Sequence, residues 1–221
     1  DLDQAVRLGL TSTRVYFVRS SVRKRLGDAA GAAADFSEGL RRTPNDPDSF
    51  VARGVARLRE GADPALALAD FEQASRLDPW NRAALENIAH VQSEKLGKTE
   101  AAIETLDRLI ERHPESAAAR AGRGVLLARL GRRDAALADA REAVRRDARP
   151  LIQYQAADVY ALTSRAVRSD QAAALGRLAV VFDLDPSWKA VAAADPDLDP
   201  LRELKAFQEL LKDSPVAEKP R

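Results

Sequence analysis

Apolar residues recur at steps of three and four through most of this chain, the spacing of helices with one buried face. The pattern also repeats as a block. Arg25-Leu26-Gly27-Asp28 is followed by Ala32, Phe36 and Pro44. Gly27 returns as Gly61, Gly97 and Gly131, at intervals of 34, 36 and 34. Ala32 returns as Ala67, Ala102 and Ala136, and Phe36 as Phe71, Leu106 and Ala140, both at intervals of 35, 35 and 34. Pro44 returns as Pro79 and Pro114, each 35 residues on. A fixed period of this length predicts stacked helix pairs.

The residue types fit that reading. Each recurring Gly ends the first helix of a pair, where a left-handed backbone costs least. Asp28, Asp46-Pro47 and Asp63-Pro64 supply a helix cap, twice with Pro at the first helical position. Small Ala lets helix axes approach, and the Phe or Leu beside it fills the space between pairs. Pro then stops the second helix, because it cannot continue the backbone ladder. The gap from Gly61 to Pro79 is 18 against 17 for Gly27 to Pro44, which places one extra residue in that turn.

These positions resemble the tetratricopeptide repeat family. The resemblance implies an all-α fold: a right-handed superhelical α-solenoid of about five helix–turn–helix repeats, the last degenerate, closed by capping helices. Repeats are expected over 13–46, 47–80, 81–115, 116–148 and 149–186. Tyr16, Phe50 and Leu85 take the large position of the first helix, and Ser20, Gly54, Ala89 and Gly124 the small one. Residues 1–12 read as the second helix of a truncated upstream repeat, so the chain reads as a piece of a longer protein. Residues 187–212 read as caps, with Leu201, Leu204, Phe207, Leu210 and Leu211 on one face of a final helix over 201–211. The tail 213–221 reads as disordered. The close of the chain, Asp195-Pro196-Asp197-Leu198-Asp199-Pro200-Leu201-Arg202, resembles the end of repeat regions in bacterial multidomain signalling proteins such as serine/threonine kinases.

Composition narrows the chemistry. There are 35 basic and 34 acidic residues, a balance that argues against a wholesale nucleic-acid binder. No cysteine is present, so thiolate metal sites and disulfides are excluded, which suits a cytoplasmic setting. No apolar run reaches the roughly 18 residues of a membrane span. His90 and His113 stand alone, outside any metal-ligand spacing. Asp195, Asp197 and Asp199 mimic the start of a calcium loop, but Pro200 stands at its Gly position and Ala206 at its Glu position. Alternation with Pro there reads as a turn with helix caps. No phosphate loop or nucleophile elbow is visible, so no catalytic residue, cofactor or metal is assigned and the chain reads as no enzyme. Residues 117–149 carry nine Arg against four acids. That segment is either a solvated face with helix-spaced ion pairs or a site for an anionic partner, and it has no aromatic for base stacking.

The resemblance also implies a binding surface. In this family positions two, five, nine and twelve of each first helix line a concave groove. Carried onto this chain, the groove residues are Arg14, Phe17, Ser21, Lys24, Val51, Val55, Asn87, Val91, Glu94, Val125, Tyr154 and Asp158. Some members clamp a C-terminal carboxylate with Lys, Asn and Arg at these positions; only Asn87 fits here, so that ligand is rejected. The expected role is a scaffold binding a peptide or protein segment. The alternatives are a regulatory or self-associating arm of a larger enzyme, and nucleic-acid binding through the Arg-rich repeat.

Overall fold

The computed structural model describes residues 2–8 and 12–212, and every regular element among them is helical. The tail expected to be disordered, and residues 1 and 9–11 of the leading segment, lie outside the described residues. The chain divides between Arg112 and His113 into two compact units.

The first unit holds α1 (Leu2–Arg7), α2 (Thr13–Arg25), α3 (Ala29–Arg41), α4 (Pro47–Arg59), α5 (Pro64–Leu77), α6 (Arg82–His90) and α7 (Thr99–Arg112). They pair as α2 with α3, α4 with α5 and α6 with α7, and α2 also packs on α4. Side-chain caps open α3, α4 and α5: Asp28 accepts from the Gly31 N–H, Asp46 from Ser49 and Asp63 from Ala65. Asn81 does the same for α6. Gly27, Gly61, Gly97 and Gly131 all have positive φ, between 63° and 84°. At Gly27 the amide donates to Lys24 O and the next amide, Asp28, to Arg23 O, so two orphan carbonyls are satisfied.

Repeat spacing has a visible consequence in α6. Ala89 precedes Gly97 by eight residues, whereas Gly54 precedes Gly61 by seven. The extra residue is absorbed by a π turn at Val91–Lys95, in which the Leu96 amide donates to Val91 O. The other insertion sits in the turn from α4 to α5, where Ala62 separates the Gly from its cap.

Apolar packing centres on Ala67, Phe71, Ile88 and Val91, with Val51, Val55 and Leu58 against them. Phe71 is fully buried, and a Cβ built on Gly54 would lie 2.6 Å from its Cε1. The small position and the bulky one are thus a single contact. Ser20 holds the small place in α2 by donating its hydroxyl to Ala32 O at 2.7 Å.

A second, polar contact repeats. Asp35 on α3 accepts from Arg19 Nη2 and Nε at 2.5 and 2.8 Å, with Arg23 at 3.0 Å. Asp70 on α5 takes Arg53 at 2.6 and 3.1 Å, with Arg57 at 2.8 Å. In α6/α7 the acid is replaced by Thr105, whose hydroxyl donates to Gln92 Oε1 at 2.9 Å. Asp35 and Asp70 are buried, so each needs its guanidinium partner.

The second unit holds α8 (Ala117–Arg129), α9 (Arg133–Arg146), α10 (Pro150–Thr163), α11 (Asp170–Leu184), α12 (Trp188–Ala194), a 3₁₀ turn at Pro196–Leu201 and α13 (Lys205–Leu211). Here α8 pairs with α9 and α10 with α11, and α8 packs on α10. Asp139 on α9 takes Arg123 of α8 at 2.7 and 2.8 Å, the same clasp again. The final helix starts at Lys205, four residues later than the sequence pattern predicts. Leu201 is taken up by the 3₁₀ turn, and the Arg202 guanidinium closes that turn by donating to Ala193 O and Asp195 O. Leu201 therefore ends a buried turn rather than opening a helix.

Phe71→Ala is expected to cost about 3–5 kcal/mol, since it empties the space against Gly54. Urea unfolding checks this, and a loss below about 1 kcal/mol would contradict the placement.

Candidate functional site

The first helices of the pairs in the first unit present a partly open face. On α2, Arg14, Ser21 and Lys24 are exposed and Phe17 is half-buried. Arg14 pairs with Asp48 of α4, which holds the same position in the next pair. Val51 and Val55 on α4 are half-buried and rest on the Phe71 cluster. Asn87 on α6 is half-buried and spends its side-chain amide on Ala83 O at 2.7 Å. Glu94 is exposed, but Val91 is fully buried and belongs to the core. Val91 stands two residues past Ala89, as Ala56 stands two past Gly54, and Ala56 is buried as well, so Val91 takes a core position and the exposed His90 takes the one that Val55 holds in α4.

A pocket of about 300 Å³ opens among α2, α3 and α4. Phe17, Val18 and Phe36 wall one side and Val55 and Ala56 the other, with Ser21, Arg25 and Arg59 also lining it. The Phe17 and Phe36 rings meet edge to face, 5.5 Å between centroids. Arg25 and Arg59 are exposed and form no ion pair among the described residues. The sequence points to Phe17, Ser21 and Val55 here. Arg25, Arg59 and Phe36 escape it because they lie off the single face it follows.

The second unit treats the same positions differently. Val125, Tyr154 and Asp158 are buried, at 7%, 3% and 5% exposure. The chain's own C-terminal segment covers α10. The Tyr154 hydroxyl donates to Asp195 at 2.9 Å, and its ring lies 4.8 Å from that of Trp188. Arg129 of α8 grips Asp197, with Nη2 to Oδ2 at 2.8 Å. Leu198 and Leu201 are fully buried beside them. Asp195 also caps the turn through the Asp197 amide, as the alternation with Pro implies.

Asp158 is the odd member. Its Oδ1 is buried and accepts no hydrogen bond. Burial, then the charges of Asp195 and Asp197, hold its carboxyl well above the usual carboxylate range, and Arg129 opposes them. The Tyr154 hydroxyl is pushed up as well, first by burial and then by Asp158. Neither His contributes: His90 is exposed, and His113 sits 3.5 Å from Glu115 through Nδ1.

The Arg-rich segment is largely neutralised by the chain itself. Arg123 holds Asp139, Arg133 holds Asp170 at 2.9 Å, and Arg129 holds Asp197. Arg145 and Arg146 share Glu142, and Arg149 pairs with Asp147. The signal for this lies in the periodic acids Asp35, Asp70 and Asp139, which match periodic arginines one helix earlier.

Models of the tetratricopeptide repeat match residues 58–121 and 94–151. No curated protein matches the chain. Among solved structures, YrrB, described as a tetratricopeptide repeat protein with an unusual peptide-binding site, is 20% identical with a TM-score of 0.56, covering 84% of this chain and 92% of its own. TTC0263 of Thermus thermophilus, a thermophilic tetratricopeptide repeat protein, is 20% identical with a TM-score of 0.59, covering 79% and 92%. One chain of the APC/C hetero-tetramer Cut9–Hcn1 aligns over 95% of this chain and 38% of its own, at 14% identity and a TM-score of 0.63. At these identities the likeness is one of fold. No described helix is long and apolar enough to cross a membrane.

Asp158→Asn is expected to stabilise the chain increasingly as pH rises. The folded-state pKa of Asp158 is raised, so its contribution is fully present below the unfolded value and is lost as pH climbs through the folded one. Thermal melts should nearly coincide at about pH 4 and separate by about pH 8; a constant difference would count against a buried neutral carboxyl.

Proposed function

Because the fold is an α-solenoid of tetratricopeptide repeats, we propose that this chain is a non-catalytic scaffold that binds a protein segment on the face of α2 and α4. The observation that carries the reading is the pocket of about 300 Å³ between those helices. Its floor is apolar and partly exposed, and Phe17, Ser21 and Val55 line it as the family's groove positions imply. Such a face suits one large apolar side chain of a peptide docked along the helices. Arg25 and Arg59 add the second requirement, an acidic residue near that anchor. Arg14, Lys24, Val51 and Asn87 would flank the segment. Val91 stays outside the site, because it is core.

The repeat lends itself to this task. A stacked pair leaves its first helix facing outward with side chains at fixed spacing, and the backbone below is held by the clasps at Asp35 and Asp70. A ligand would meet a surface already ordered, which lowers the entropic cost of binding.

Selection of a random peptide library on the full chain tests the proposal. Enriched peptides should carry an apolar residue beside Asp or Glu. Arg25→Glu with Arg59→Glu, both exposed positions, should weaken them by about tenfold or more, and Phe17→Asp should abolish capture while the helical signal persists. Selected peptides that bind wild type and all these variants equally would overturn it.

A further inference from the structure

In the second unit the family's groove face is occupied, and its occupant is part of the chain. The residues that hold it are polar as well as apolar. Two carboxylates set one residue apart, Asp195 and Asp197, are read by a tyrosine hydroxyl and an arginine fork. Leu198 and Leu201 enter the apolar side of the turn and are fully buried. Trp188 lies against the Tyr154 ring and closes the near end. A peptide bound in trans would show the same division, with polar handles for register and leucines for affinity.

We propose that α8 and α10 form a docking site for a short acidic segment of the pattern Asp-x-Asp-Leu-x-x-Leu, and that Asp195–Leu201 is a tethered copy of that ligand. The site takes a partner segment of this chemistry when the tethered copy releases.

Two features make the tethered copy displaceable. The Arg129 side chain keeps 33% of its surface exposed, so release of the turn, which carries Asp197 out with it, leaves no buried cation behind. Asp158 Oδ1 lies buried without a hydrogen-bond donor, an unmet polar atom in the closed arrangement. A competing segment with a hydroxyl, amide or amine placed to donate to Asp158 would satisfy it and bind better than the chain's own turn. The charged and titratable groups around that carboxyl are Asp195, Asp197, Arg129 and Tyr154. The ligand class is therefore acidic at two positions, leucine-bearing, and able to donate one hydrogen bond.

This inference rests on the second unit alone and stands apart from the α2 and α4 site. The test uses the full chain and a fluorescent peptide of sequence Asp195–Glu203. Wild type should bind it weakly, because the tethered copy competes at high effective concentration. Asp195→Ala with Asp197→Ala should bind it at least about tenfold more tightly, and adding Arg129→Ala should remove the gain. Arg25→Glu with Arg59→Glu should leave this binding unchanged, which separates it from the first site. Hydrogen exchange on wild type should show residues 188–204 opening faster than α8 and α10. Equal peptide binding by wild type and variant overturns the proposal, as does insensitivity to Arg129→Ala. So does loss of helical signal in the double alanine variant, or exchange of the segment only together with α10, since either makes it a structural cap. A dimer formed by the variant without peptide would assign the site to a second copy and overturn the partner reading.

Discussion

A helix pair of this length cannot bury its own apolar surface. Each pair has one face that must be taken by something else, and the rest of the structure follows from how that face is met. Within the first unit α2 leans on α4, and the pair α4/α5 shares its core with α6 through Phe71, Ile88 and Val91. Within the second unit α8 leans on α10. Beyond α10 and α11 no further pair follows among the described residues, and the chain turns back with α12, the 3₁₀ turn and α13. Covering that end brings Asp195 onto Tyr154 of α10 and Asp197 onto Arg129 of α8.

The clasp between the helices of a pair is the other constant. A carboxylate on the second helix, buried and doubly bonded by an arginine of the first, appears at Asp35, Asp70 and Asp139. Such a pair adds little net stability against a well-packed apolar alternative, but it cannot be half removed without stranding a charge. Its value is in register: it fixes which turn of one helix meets which turn of the other. Where the acid is missing, at Thr105, the same helix pair carries the π turn, and Gln92 within that turn supplies the polar partner.

Sequence showed the helix pairing and its punctuation, because Gly, Ala and Pro act locally and recur at fixed intervals. It pointed to Phe17, Ser21 and Val55, which the structure gathers around one pocket. Val91, expected on the face, is core: counted from the small position Ala89 it matches Ala56 and Leu126, both buried, and an expectation one residue out of step lands on the opposite side of the helix. Nor did it show the partners of the arginines, since an ion pair across two helices leaves no mark in a local charge count. Tyr154 and Asp158 were legible as face positions, but their covering was not. That depends on a segment 41 residues beyond Tyr154, and long-range contact is the part of a fold that a single chain's periodicity does not carry.

The central claim is that equivalent face positions are open in the first unit and closed by the chain itself in the second. Since the chain has no cysteine, one introduced thiol reports directly on each. Ser21→Cys and Asp158→Cys place it at the ninth position of α2 and of α10. Under native conditions a soluble maleimide should modify the first at close to the rate of a free thiol and the second only through opening, slower by about a hundredfold or more. Equal rates at the two positions would contradict the account.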